Sequence, residues 1–167
     1  MAEPEIRIEA EPFDYGAESN AFAARATGSG AVVTFLGVVR EPQHKALMFT
    51  VEERVEFLRQ SAGMIPNVEV EVFSELVEGG TLTGMEIEHY PGMTAQAIGA
   101  IANEAMDRWS LDRALVIHRY GAMKPGDAIM MVATASRHRV AAFAAAEFLM
   151  DYLKSRAPFW KKEFGKD

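Results

Sequence analysis

Two clusters near the C-terminal end of this sequence carry the side chains best suited to chemistry. The first is Ser136-Arg137-His138-Arg139, which opens an alanine-rich stretch expected to be a helix over residues 139–156. Backbone N–H groups at a helix N-terminus point outward and favour an anion. Arginine adds two parallel donors that fit a phosphate or carboxylate. The same four residues also fit a serine cap followed by solvated cations. The second cluster is Lys154, Arg156, Lys161 and Lys162, interleaved with Pro158, Phe159 and Trp160. Helical spacing puts Glu147, Asp151 and Lys154 on one stripe. Arithmetic alone makes that a solvent-facing stripe with an Asp151–Lys154 pair. The functional alternative is that crowded cations free the Lys154 amine for proton transfer or nucleophilic attack. Phe159 and Trp160 either flank a planar ring or pin the chain to its core.

Other candidates stand further back in the chain. Arg40 directly follows an apolar strand, where loops often carry function. His118 and Arg119 lie in an expected strand, so one of them faces inward or lines a cleft; His118 reads better as a satisfied core histidine. His89-Tyr90-Pro91-Gly92 reads first as a strand-ending turn. Several chemistries drop out. The chain has no cysteine, so thiolate nucleophiles, thiolate metal sites and disulfides are absent. The four histidines are scattered, and no metal-binding, Walker, dinucleotide or nucleophile-elbow motif occurs. Neither a metal nor a cofactor is expected.

The elements that must position these residues follow from periodicity. With 167 residues, 49% of them hydrophobic, the chain suits one domain with a real core. Residues 136–167 hold seven Lys or Arg against four Asp or Glu, in a chain of net charge −7. A basic end on an acidic body fits a localised anion site or a solvated tail equally well. Nucleic acid is a poor partner for so acidic a chain. No apolar run reaches the length of a membrane span, and the acidic N-terminus lacks signal-peptide order, so a cytoplasmic protein is expected. Residues 3–9 suggest an edge strand and 17–27 a helix stopped by Gly28-Ser-Gly30. Ala31–Val39 is apolar enough for a central strand. Thr50 opens an expected helix, Asn67–Val77 an alternating strand, and Gly79-Gly80 a turn into Leu82–Tyr90. Thr94 is the expected cap of a helix to Trp109. Strands at 114–120 and 128–135 flank a Lys124–Asp127 turn. This order favours an α+β fold over a doubly wound parallel sheet.

Taken in order, several segments resemble one family. They are Gly30–Arg40, Glu88-His-Tyr-Pro-Gly-Met93, Arg108-Trp109, Ile117-His-Arg119, Pro125-Gly-Asp127, Ser136-x-His-Arg139 and the long block Met150–Glu163. Together they look like the large, catalytic subunit of molybdopterin synthase, the MoaE family. The last block is the specific one; the short ones are not specific individually. The resemblance implies an α/β-hammerhead, a mostly antiparallel sheet with packed helices, spanning residues 1–167 as a single domain. A helix-strand insertion at about 44–80 would be its one elaboration. It implies a sulfurtransferase that forms a homodimer and binds a ubiquitin-like small subunit ending in a Gly-Gly thiocarboxylate. Sulfur would pass from that tail to cyclic pyranopterin monophosphate, giving the dithiolene of molybdopterin for molybdenum cofactor biosynthesis. Carried over by position, Lys154 and Lys161 would be catalytic. Arg40, His138, Arg139, Lys162 and Glu163, with both lysines, would bind substrate. The missing cysteine then fits, since sulfur arrives on the partner. A second reading is a non-catalytic dimeric module for a ubiquitin-like partner, which needs Glu88–Gly92 but neither lysine.

Overall fold

A computed structural model describes residues 2–39 and 81–166. The chain divides into two compact units, residues 1–41 with 82–164, and residues 42–81 with 165–167. The expected helix from Thr50, the strand over Asn67–Val77, the Gly79-Gly80 turn, the insertion at 44–80 and Arg40 itself lie outside the described residues.

The first unit is built on a four-stranded sheet ordered β1-β4-β6-β2, with β1 Glu5–Glu9, β2 Ala31–Val38, β4 Arg113–Arg119 and β6 Ala128–Ser136. β1 runs parallel to β4, and the other pairings are antiparallel. β4 and β6 are buried on both faces, and alternation sorts their residues cleanly. Leu115, Ile117, Met131, Ala133 and Ala135 pack with Phe22 and Ala26 of α1, Tyr15–Arg25. Ala114, Val116, Met130 and Val132 pack instead with α2, Pro91–Arg108, and α3, Arg139–Ser155. The sheet therefore lies between one helix and two. Small residues, Ala102 and Ala105 on α2 with Ala145 and Ala146 on α3, belong to the same buried cluster.

A second sheet, ordered β5-β3-β7, joins β3 Thr81–His89, β5 Gly121–Met123 and β7 Phe159–Lys166. Met85, Ile87 and Met123 form its buried side with Val39, and Phe159 packs against them. The α+β class holds, and three details differ from the sequence reading. β2 is an edge strand of the described sheet rather than a central one, and Val32, Phe35 and Val38 remain exposed. Its apolar run had imitated a strand covered on both faces. Thr94 does not cap α2. Tyr90 holds the cap position without a side-chain bond and Pro91 begins the helix, since its missing N–H costs nothing there. Thr94 is instead fully buried and donates to the Pro158 carbonyl at 3.3 Å. β7 was not anticipated, because its lysines made it look like a tail.

Candidate active site

Residues Ser136–Arg139 sit where the sequence placed them, between β6 and α3. Ser136 ends β6 and is buried, so it is no cap; His138 occupies the cap position, again without a side-chain bond. Arg137, His138 and Arg139 are all exposed. The turn is held by Gly30, whose N–H donates to the Ser136 carbonyl at 3.1 Å. A Cβ on Gly30 would stand 2.3 Å from the Arg137 carbonyl oxygen, so only glycine fits the approach.

Lys154 lies in the last turn of the same helix, where a cation complements the exposed carbonyl end. It is exposed, and its ammonium stands 5.7 Å from the ring centroid of Phe35 on β2. The ion pairs among the described residues do not include the Asp151 partner expected from helical spacing. From Arg139 to Lys154 the helix rises about 22 Å at 1.5 Å per residue. His138-Arg139 and Lys154 therefore occupy opposite ends of α3 within one chain.

Beyond Lys154 the chain turns through Arg156–Pro158 into β7. Phe159 stacks on His118, with ring centroids 3.7 Å apart and planes 12° from parallel. Trp160 meets Tyr90 edge-to-face at 5.3 Å and 87°. Lys161 pairs with Glu163, and Lys162 donates to Glu88 Oε1 at 2.8 Å. Successive strand residues face opposite ways. Phe159, Lys161 and Glu163 thus share one face of β7, and Trp160, Lys162 and Phe164 share the other. The adjacent lysines point apart. Glu88, through its hydrogen bond and its charge, holds the Lys162 ammonium above the usual lysine value.

His118 is the core histidine that the sequence suggested. It is buried, its Nδ1 lies 2.8 Å from the Arg119 carbonyl, and burial pushes its pKa down to about 4. A carbonyl can only accept, so Nδ1 carries the proton of a neutral ring. Arg119 is buried as well; it donates to the Ala128 carbonyl at 3.0 Å and lies 3.9 Å from Asp127. The turn beside it carries Gly126 at φ +89, a value glycine tolerates best. Sequence reasoning missed the cross-strand partnership of Glu88 with Lys162. Alternation within Phe159–Lys166 was the available signal.

The sheet order, the lysine-bearing strand after a long helix and the basic helix start define a class of protein, and comparison with known proteins agrees. A family model described as "MoaE protein" matches residues 70–156. A molybdopterin synthase catalytic subunit from Cereibacter sphaeroides is 51% identical over 158 residues, covering 95% of this chain and 84% of that protein. One from Mesorhizobium japonicum is 42% identical over 164 residues, covering 98% and 80%. Among solved structures, a molybdopterin biosynthesis MoaE protein from Burkholderia ambifaria superposes with a TM-score of 0.67 at 37% identity, covering 98% and 89%. The chain belongs to the MoaE family. It is a sulfur-transferring enzyme, of the kind that forms the catalytic part of molybdopterin synthase.

Proposed function

We propose that this chain receives sulfur from the thiocarboxylated Gly-Gly tail of a ubiquitin-like small subunit and passes it to cyclic pyranopterin monophosphate, in the cytoplasm. The carrying observation is the Met150–Glu163 block, which folds as a helix end, a turn and a strand and brings both Lys154 and Lys161 out to solvent. An anionic tail approaching these lysines finds positive charge at the end of its path. Lys154 and Lys161 are then catalytic. They move protons as the acyl–sulfur bond breaks and as the spent tail is released as a carboxylate. Their charge also stabilises oxyanion and thiolate as these develop. Glu163, paired with Lys161, sets the orientation of that ammonium.

His138 and Arg139 bind the substrate phosphate, with Arg40 as a further cation. Because they stand about 22 Å from Lys154 along α3, one chain does not bring both groups onto one small substrate. Two copies do so if the helix start of one faces the lysines of the other. Val140 and Phe143 on α3, 72% and 62% exposed, and Phe35 on β2 offer apolar area for such a homodimer.

The test is reconstitution. The protein is mixed with a thiocarboxylated cognate small subunit and the pterin precursor, and dithiolene product is measured. Product is expected in stoichiometric proportion to thiocarboxylate. Tight partner binding with no product from any precursor preparation would favour the non-catalytic module instead.

A further inference from the structure

We propose that Glu88, Tyr90 and Thr94 are positioning residues for Lys161, and that Lys162 acts through Glu88 rather than on the substrate. The inference rests on Lys161 acting at the reacting centre. Its grounds are the contacts that flank Lys161 on both sides in the chain. Before β7 begins, the Pro158 carbonyl accepts from the fully buried Thr94 hydroxyl at 3.3 Å. The residue before Lys161, Trp160, packs its ring edge-to-face on Tyr90. The residue after it, Lys162, pairs with Glu88 at 2.8 Å. All three partners come from one short segment, the end of β3 and the first turn of α2.

Holding residues 160 and 162 on one face leaves residue 161 only the other. Aromatic residues stand on both faces of β7, Phe159 on one and Trp160 and Phe164 on the other, so its own alternation does not fix its facing, and a one-residue slip would invert it. With the slip, Lys162 would take the face now held by Lys161, and Trp160 would lose Tyr90. A slip that set Glu163 opposite Glu88 would bring two carboxylates together, whereas one that set Lys161 there would keep a charge pair and is opposed instead by the loss of Trp160 from Tyr90. Phe159, stacked on His118 on the Lys161 side, fixes the same facing from the start of the strand. The Glu88–Thr94 segment and the lysine block thus form one structural device, although more than 60 residues separate the members of each pair.

The experiment compares Glu88→Gln, Lys162→Gln and the charge swap Glu88→Lys/Lys162→Glu, in the full assembly with thiocarboxylated small subunit and pterin substrate. Lys161→Ala serves as the control. Each single variant is expected to lower kcat roughly two- to five-fold, the range set by a solvent-exposed ion pair, with KM unchanged. The swap is expected to restore most of that loss, because it rebuilds the pair with its charges exchanged. A swap as impaired as Lys162→Gln would overturn the inference, since the Lys162 cation would then be needed for itself. Wild-type kcat in Glu88→Gln would overturn it equally. Thr94→Ser is expected to keep kcat and Thr94→Val to lose it. If Lys161→Ala turned over at the wild-type rate, the catalytic reading of Lys161 would fail instead, and the two failures are distinguishable.

Discussion

Lys154 carries two readings in the sequence, a member of a solvated stripe or a catalytic amine. The structure leaves it exposed at the helix end beside Phe35, with Asp151 absent from the ion pairs among the described residues. Lys154→Ala is therefore expected to lower dithiolene formation by about 10²-fold or more while the oligomer is unchanged by light scattering. Full turnover would remove the lysine from the mechanism. His118 makes a separate prediction, about stability. Its folded pKa of about 4 lies below the unfolded value, so the unfolded chain binds more protons between these limits. Its contribution is complete above about pH 6.5 and is lost as pH falls through that window towards 4. Spread over that window, the loss is on the order of 3 kcal/mol. His118→Phe keeps a ring against Phe159 and should flatten the fall, measured by urea unfolding at a series of pH values. A variant with the wild-type pH dependence would place the acid sensitivity elsewhere.

At the scale of elements, Gly30 links the start of β2 to the start of α3. An added Cβ meets a backbone carbonyl rather than a movable side chain, so the turn must shift. Gly30→Ala should cost about 1–3 kcal/mol in denaturant unfolding, in the range of other overpacking changes. It should also weaken binding of inorganic phosphate if Arg137–Arg139 hold an anion. Unchanged stability would mean that the turn relaxes freely. Most element positions were legible, because β4, β6, α2 and α3 are long and strongly periodic. α1 began earlier than expected, at Tyr15, because Asp14 accepts from the Ala17 N–H at 3.0 Å and caps it. β7 was not legible, since its lysines concealed the alternation of Phe159, Trp160 and the residues after them.

For the whole molecule, the separation of the cation pair from Lys154 makes the assembly testable. If one site draws on two copies, an Arg139→Ala chain and a Lys154→Ala chain complement each other when mixed. In a symmetric dimer, half of the pairs are mixed and one of the two sites in each is intact, so roughly a quarter of wild-type activity returns. No recovery, with exchange of copies verified by mass spectrometry, would put each site within one chain.

The sequence by itself determined the class of fold, the absence of cysteine chemistry and the family, because strong periodicity and the uninterrupted Met150–Glu163 block are local properties of the chain. Only the tertiary structure decided which way the candidate site residues among those described face. It separated Lys161 from Lys162, gave Thr94 to Pro158 instead of a helix cap, and placed β2 at an edge. It also set Arg139 and Lys154 at opposite ends of α3. Facing depends on what packs against an element from elsewhere in the chain. The residues of β3 and α2 that hold β7 lie more than 60 positions away in the chain, and no local pattern encodes that pairing.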